Sequence, residues 1–498
     1  MSSRTFRLYD TLTRQLKPLA TIEPGHLKFY SCGPTVYSYA HIGNFRTFLT
    51  ADLIVRTAKA IGWKVSYVSN ITDVGHLTQD DFADADGEDK LEKALHSPEG
   101  KVFANIWDLS EHYAYAFCED WKRLNLLEPT VRPRATQHMR EQILAIQELV
   151  RKGIAYETLL GVYFDVKRFG SYGELSGNKS QDQLRQGVRD VLQDPEKRHA
   201  ADFALWKKDE KHLMQWFSPW GWGFPGWHIE CSAMSMHYLG ETYDLHGGGE
   251  DLIFPHHECE IAQSESLTGK PLAHHWVHTR FLQVEGEKMS KSRGNFYTVR
   301  DLLDQKHVHP LALRYALIAV PYDKPLNFTL QSLNDASQVI ERLMECQKKV
   351  KFALISGSDH EDRLEEPLKR LYDEALDAMC EDLNTSVALA KIYEMTRVIL
   401  RESEIMSKHS AKSGALYLKQ FNDLLGIAEH EHLDLQEVVQ KTSLTKQQIL
   451  AAIEERDKAK KERDFDKADS IRKELIENGV ELRDTPDGTT WKFKPILF

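Results

Sequence analysis

The stretch from His26 to Ser69 narrows the fold more than any other part of the chain. His26 to Cys32 (HLKFYSC) alternates apolar and polar residues as a strand does, and Gly33-Pro34 marks a turn. From His41 to Ile61 the apolar residues Ile42, Phe45, Leu49, Leu53 and Ala60 recur at roughly helical spacing, with Gly62 as a stop. Val65 to Ser69 reads as a second strand. Strand, helix and strand within about forty residues make a βαβ crossover, and a crossover implies a parallel sheet. The chain is therefore predicted to be α/β at its start.

With 498 residues the chain exceeds one ordinary core, so several domains are expected. Hydrophobic residues make up 41% and charged residues 28%, as in a globular protein in water, and no run of about 18 apolar residues suggests a membrane span. The beginning lacks the apolar stretch of a secretory signal, so a cytoplasmic location is expected. The six cysteines, Cys32, Cys118, Cys231, Cys259, Cys346 and Cys380, are too few and too scattered for a disulfide framework. A net charge of −11 does not advertise nucleic-acid binding, but phosphate is recognised by local patches rather than by the sum.

Further along, residues 131–222 look like an insertion. Met139, Ile143, Ile146 and Leu149 have helical periodicity, Gly161 to Val166 suits a strand, and Ser176 to Asp194 is polar. A second α/β portion follows at 223–286, and strand signals fade beyond about 319. There Val339, Ile340, Leu343 and Met344, then Leu368, Leu371, Tyr372, Ala375, Leu376 and Met379, predict a helical bundle. His430-Glu-His432 marks a linker, and the tail reads as two charged helices and a hairpin, Val480–Arg483 and Thr489–Phe493, around a turn at 485–488.

Two segments suit phosphate chemistry. His41-Ile42-Gly43-Asn44 sits where a strand has turned into a helix, and a helix start offers unpaired N–H groups and the positive end of a dipole. Gly43 admits a ligand close to the backbone, and the imidazole and amide can donate to phosphate oxygens. Lys288-Met-Ser-Lys-Ser292, followed by Arg293-Gly-Asn295, is a flexible cationic loop suited to a departing pyrophosphate. Taken singly, the first reads as an ordinary helix start and the second as a solvated loop.

Together they resemble the "HIGH" and "KMSKS" signatures of class I aminoacyl-tRNA synthetases, in the family's order and on either side of a large insertion. The resemblance implies a Rossmann-type parallel-sheet catalytic domain that binds ATP, with a connective insertion, followed by a helical bundle and a small C-terminal anticodon-binding domain. It implies ATP binding at His41, Gly43, Asn44, Lys288, Ser290 and Lys291. His41 and Asn44 would meet the phosphates, Lys288 and Lys291 would stabilise pyrophosphate, and Mg2+ would accompany ATP. No protein nucleophile is needed, because an amino-acid carboxylate attacks the α-phosphorus.

Cysteine, histidine and glutamate side chains offer metal-ligand chemistry elsewhere. Cys32 ends the first strand, Cys231 ends Gly226-Trp-His-Ile-Glu-Cys231, and His256 and Glu260 stand four apart, on one face if helical. Spacing alone does not choose among His256, His257, Cys259 and Glu260. The surrounding words, Cys32-Gly-Pro-Thr-Val-Tyr37, Gly226 to Met234 (GWHIECSAM) and Phe254-Pro-His-His-Glu-Cys-Glu260, resemble the cysteinyl-tRNA synthetase family. That resemblance implies one zinc ion on Cys32, Cys231, His256 and Glu260, and an amino-acid pocket lined by Thr72, Trp227 and Asp251. It departs at Cys259, where the family usually has asparagine, and in the long aspartate-rich segment from Gly75 to Lys90.

A zinc ion that takes the substrate's thiol as thiolate would reject serine and alanine, and an insertion of about ninety residues is short for an editing domain, so none is expected. Leu311–Leu317 (LALRYAL), Asp382–Thr385, Arg463–Arg472 and Asp484–Trp491 resemble the same family's RNA-binding end. Phe465, Ala468, Ile471 and Leu475 form an apolar stripe. Lys458, Lys460, Lys461 and Arg463 are either phosphate contacts or a solvated face, and Trp491 either a stacking platform or a core aromatic.

The resemblance thus implies a ligase that joins L-cysteine to tRNA-Cys at the expense of ATP, acting as a monomer without membrane contact. Its domains are expected at 1–130 and 223–286 for the two catalytic halves, 131–222 for the insertion, 287–318 for the KMSKS and stem-contact region, 319–428 for the bundle and 429–498 for the anticodon end. Competing readings are the related cysteine ligase of mycothiol synthesis, a non-catalytic RNA-binding relative, and a zinc hydrolase with Glu260 or Glu230 as base.

Overall fold

The computed structural model describes residues 4–79, 83–84, 86–178, 195–290, 293–428, 446–462, 464–477, 480–485 and 488–493. Its centre is a four-stranded parallel sheet, with strands labelled β1 (His26–Ser31), β2 (Lys64–Ser69), β3 (Tyr243–Gly249) and β4 (Ala273–Thr279) in the spatial order β4-β3-β1-β2. Helix α1 (Ile42–Ala60) connects β1 to β2 within one residue or so of the predicted bounds. Fourteen of its 19 residues are buried, so it is wrapped by protein on nearly every side rather than lying on a surface. Helices α2 (Trp227–Leu239) and α3 (Glu258–Thr268) flank β3. The chain order places the carboxyl ends of β1, β2 and β3 at one edge, where open parallel sheets hold their ligands.

The predicted insertion holds helix Met139–Arg151 and most of a five-stranded antiparallel sheet, whose strand Gly221–Pro225 runs past the expected bound at 222; its strand Gly161–Phe164 is two residues shorter than expected because Val166 enters a 3-10 turn. Of the polar stretch, residues 179–194 lie outside the described residues. An N-terminal hairpin, Arg7–Asp10 with Gln15–Pro18, is tied to β4 by Asp10, whose carboxylate accepts from the Trp276 N–H at 2.8 Å and from Lys17 at 2.7 Å.

One strand falls where sequence signals fade. Leu326–Phe328 pairs in parallel with Leu282–Val284, and three residues are too few to show alternation. Helix α4 (Pro310–Ile318) starts on a proline at a first-turn position, where its missing N–H costs nothing.

The chain divides into two compact units, the first comprising Met1–Ile340, Asp373–Ile392 and Asp423–Ile427. Helices Leu330–Ser356, Glu365–Cys380, Thr385–Glu402 and Lys408–Leu425 form the predicted helical region. In the tail, helices Lys446–Lys461 and Phe465–Glu477 and an antiparallel hairpin of Val480–Thr485 with Gly488–Phe493 enclose a small core of Ile449, Ile453, Leu475 and Leu482. The expected stripe loses one member, because Phe465 is 63% exposed at the first helical position while Ala468 and Leu475 are buried. The linker motif at 430–432 and Arg463 lie outside the described residues, as do the side chains of Lys461 and Trp491. Among the described residues no helix is long and apolar enough to cross a membrane.

Candidate active site and metal centre

The two phosphate-type signatures meet in space. His41 caps α1 by accepting the Asn44 N–H on Nδ1 at 3.1 Å, and Asn44 Oδ1 accepts the His41 N–H at 3.1 Å, a reciprocal capping box. The box uses one ring nitrogen and one amide oxygen, so His41 Nε2 and the Asn44 amide nitrogen take no part in it. The strand-like segment after the lysine loop pairs with this motif: the Ile42 N–H donates to the Tyr297 carbonyl at 3.1 Å, and the Phe296 and His41 rings lie 5.3 Å apart. Space at Gly43 is tight, since a Cβ would sit 3.1 Å from the Met289 methyl and 3.0 Å from the His41 ring. Asn295 closes the lysine loop, accepting the Ser290 N–H at 2.8 Å and donating to the Lys288 carbonyl at 3.2 Å. Lys288 is exposed; Lys291 lies outside the described residues.

A buried cluster of sulfur, nitrogen and oxygen sits at the carboxyl end of β1. Cys32 Sγ lies 3.8 Å from Cys231 Sγ and 3.5 Å from Glu260 Oε1, and His256 Nε2 lies 3.0 Å from the same carboxylate oxygen. The four residues come from the end of β1, the first turns of α2, and the irregular turn leading into α3, where His256 and Glu260 stand on one face as their spacing predicts. A second set, Cys32, His246, His257 and Glu260, shares two members, with His257 Nε2 3.4 Å and His246 Nε2 3.5 Å from Cys32 Sγ. All six residues are buried. Cys259 belongs to neither set, because its thiol faces the Tyr172 hydroxyl at 3.5 Å.

These residues fit a zinc-type ion. Two sulfurs each about 2.3 Å from a tetrahedral ion lie about 3.8 Å apart, and the Cys32–Cys231 spacing equals that. Glu260 Oε2 is buried and makes no hydrogen bond among the described residues, an orphan that a cation would satisfy. The tautomers agree too. The Ala83 carbonyl can only accept, so the 2.9 Å contact puts a proton on His228 Nε2 and leaves its Nδ1 as acceptor. His256 must then donate from Nδ1 across 3.0 Å, which frees the His256 Nε2 lone pair towards Glu260.

Electrostatics favour neutral imidazoles and a shared negative charge. Burial, then the neighbouring histidines, lowers His246 and His257 well below the usual range. Burial pushes the Cys32 thiol well up. It also pushes on Cys231, but hydrogen bonds from Cys32 and His256 outweigh it and bring that thiol down to about 7. Glu260 and Glu230, both enclosed, are raised well above ordinary carboxylates by burial.

Thr72 donates to Glu230 Oε2 at 2.9 Å and accepts from the Asn70 amide at 3.2 Å. Asn70 also accepts the Gly33 N–H at 2.8 Å, an approach so close that a Cβ on Gly33 would stand 1.7 Å from the Asn70 carbonyl oxygen. The Trp227 ring lies 4.3 Å from that of His256. Asp251 is exposed on the short turn Glu250–Leu252 at the end of β3.

Sequence reasoning missed His228, His246 and Tyr243, whose hydroxyl meets His246 Nδ1 at 2.6 Å. It also missed His76, stacked at 4.1 Å on Trp227. A histidine followed by three glycines at the end of a buried strand, His246 to Gly249, is the signal that was present.

Comparison with known proteins fits this geometry. The family model described as "tRNA synthetases class I (C) catalytic domain" matches residues 18–338, and a DALR domain matches residues 376–429. The cysteine–tRNA ligase of Salinibacter ruber is 53% identical, with 99% of each chain covered. That of Deinococcus radiodurans is 40% identical over 97% of this chain and 96% of its own. Among solved structures, Mycobacterium tuberculosis methionyl-tRNA synthetase in complex with methionyl-adenylate has a TM-score of 0.58 at 11% identity, covering 85% of this chain and 95% of its own. The Agrobacterium radiobacter LeuRS–tRNA ternary complex has 0.59 at 11%, covering 86% of both, and both likenesses concern the fold. A catalytic core matched from 18 to 338 and relatives aligned along almost their whole length leave one conclusion: this chain is a member of the cysteine–tRNA ligase family of class I aminoacyl-tRNA synthetases.

Proposed function

We propose that the protein activates L-cysteine with ATP, releasing pyrophosphate, and transfers cysteine from the adenylate to tRNA-Cys. The observation that carries the reading is the enclosed Cys32, Cys231, His256 and Glu260 cluster on the same sheet edge as the HIGN motif, which pairs with the segment that follows the KMSKS loop.

Cys32, Cys231, His256 and Glu260 would hold zinc, and the bound ion supplies a soft Lewis acid that favours the substrate thiolate over a hydroxyl. Burial of the cluster excludes water and sharpens that preference. Trp227 offers a flat wall beside His256, Thr72 orients from the end of β2, and Asp251 offers a carboxylate to the α-ammonium group. His41 and Asn44, locked by their capping box, direct donors at phosphate oxygens without reorganising. Lys288 and Lys291, with Gly43 and Ser290 supplying backbone and hydroxyl contacts, offset charge on the leaving pyrophosphate, and Mg2+ accompanies ATP.

Residues 1–130 and 223–286 would form the catalytic halves, 131–222 the connective insertion, 287–318 the lysine-loop region, 319–428 the bundle and 429–498 the anticodon-binding end. Alignment along nearly the full length of tRNA ligases, with a DALR domain at 376–429, supports an RNA substrate over an amino sugar. We place the enzyme in the cytoplasm as a monomer.

The test is cysteine-dependent exchange of pyrophosphate into ATP, with and without a chelator, then charging of tRNA-Cys. Exchange with cysteine but not serine, lost on chelation, is expected. Exchange that is indifferent to cysteine would overturn the reading.

A further inference from the structure

The aspartate-rich segment ends in a helix, Lys90–His96, that begins with a cation. Lysine is disfavoured at a helix start, where the dipole end is positive. Lys90 Nζ instead reaches back to His76 Nε2 at 2.9 Å and lies 5.8 Å over the Tyr37 ring. His76 is 6% exposed, stacked on Trp227 with 16° between the rings, and its Nδ1 meets Thr35 Oγ1 at 2.5 Å. Thr35 is half-buried on the loop that leads from Cys32 towards His41, and that loop is stitched to the end of β2 by the Val36 N–H on the Thr72 carbonyl at 3.1 Å and the Thr72 N–H on the Pro34 carbonyl at 3.0 Å.

The donor and acceptor roles along these three residues are forced. A lysine ammonium has only donors, so His76 Nε2 must accept and the ring proton must sit on Nδ1. Nδ1–H then donates to Thr35 Oγ1, and the Thr35 hydroxyl hydrogen must turn elsewhere. With the opposite tautomer Thr35 would donate to His76 and present only lone pairs. The relay therefore fixes the polarity of one hydroxyl between the thiol end of the pocket and the nucleotide end. A donor there suits an anionic oxygen, whereas the opposite tautomer would leave only lone pairs, which suit an ammonium group.

We propose that Thr35 donates its hydroxyl hydrogen to the carboxylate of the amino-acid substrate, and that Lys90, acting through His76, is the positioning residue that makes it a donor. The inference rests on the amino-acid activation proposed above. It assigns a recognition task to the segment in which this chain departs from its family's usual pattern.

The test uses the full-length protein and pyrophosphate exchange, with KM measured separately for cysteine and ATP. Cysteamine, which carries the thiol and the amine but no carboxylate, serves as a competing ligand. Thr35→Val and Lys90→Met should each raise the KM for cysteine about tenfold, with the KM for ATP, bound zinc and the inhibition constant of cysteamine all within about twofold of wild type. Thr35→Ser and Lys90→Arg, which keep the hydroxyl and the donor-only cation, should stay within about threefold of wild type. The double variant Thr35→Val/Lys90→Met should be no worse than Thr35→Val alone, because both act through one contact.

A raised KM for ATP instead would assign the hydroxyl to a phosphate and overturn the proposal. Equal weakening of cysteamine, or additive effects in the double variant, would also overturn it. Wild-type protein that exchanges pyrophosphate without regard to cysteine would instead defeat the functional reading on which the proposal stands.

Discussion

Arg314 and Asp52 form an ion pair from which water is wholly excluded, joining the helix that begins at the HIGN motif to the helix that follows the lysine loop. Asp52 also accepts from Arg56 Nε at 2.7 Å and from the Leu127 N–H at 2.7 Å. Arg314 directs its remaining donors to the carbonyls of Leu124, Asn125 and Leu425, at 2.8 to 3.0 Å. Burial lowers Arg314 to about 10, still charged at neutral pH. For Asp52 burial works against ionisation, but Arg56 and Arg314 outweigh it and hold the carboxyl below its usual value.

Breaking one side of such a pair removes an opposite charge from an ion that water does not reach, and the hydrogen bonds that remain offset the loss only in part. Arg314→Met and Asp52→Asn should each lower stability by about 3–5 kcal/mol, and the double variant should be less destabilised than the sum. Urea unfolding midpoints measure this. Additive losses would show that the pair is not a unit.

Cys231→Ser replaces a proposed soft ligand by a poor one in an enclosed cluster. It should lose bound zinc and cysteine-dependent exchange while retaining its helical circular dichroism. Metal content after dialysis and exchange assays report both. Full zinc content with normal exchange would take Cys231 out of the ligand set.

Lys291→Ala and Lys288→Ala remove the charge proposed to assist the departure of pyrophosphate. Each should reduce the rate of adenylate formation by about 10²-fold or more, with the KM for cysteine within about threefold of wild type. Rapid-quench measurement of adenylate separates the two terms. An unchanged rate excludes that lysine from the mechanism.

His275 in β4 is 1% exposed, and its Nε2 makes no hydrogen bond among the described residues. Burial lowers its pKa from 6.5 to about 4. A base whose folded pKa is depressed gives stability that is present above pH 6.5 and is lost as pH falls towards 4, since only the unfolded chain takes up the proton in that window. The slope is at most about 1.4 kcal/mol per pH unit. His275→Leu should therefore flatten the dependence of the thermal midpoint on pH in that window. An identical acid slope in the variant would show that this imidazole contributes nothing to it.

Much of this architecture can be read from the residues because it is local. The β1–α1–β2 crossover is spelled out by alternation, helical spacing and a glycine stop within some forty residues, and its bounds shift by only a residue or so. The His256–Glu260 contact is likewise a property of helical spacing. What the sequence hides is the matter of neighbours far apart along the chain. Nothing near His228 indicates that its ring backs His256 across 28 positions, and nothing near Lys90 indicates a relay that ends on Thr35. The strand at Leu326–Phe328 is invisible for another reason, since three residues hold less than two periods of alternation. Phe465 shows the reverse failure, in which periodicity matches but the first turn of the helix is left uncovered.

The donors of the metal cluster are remote from one another along the chain, with Cys32 and Glu260 separated by 228 positions. At roughly 5–20 residues per second, a ribosome needs on the order of ten to forty-five seconds to supply the second after the first. Throughout that interval the earliest sulfur emerges without its later companions and cannot be chelated as a set. The four donors proposed to hold zinc can therefore act as a set only once translation has passed α3, about halfway along the chain.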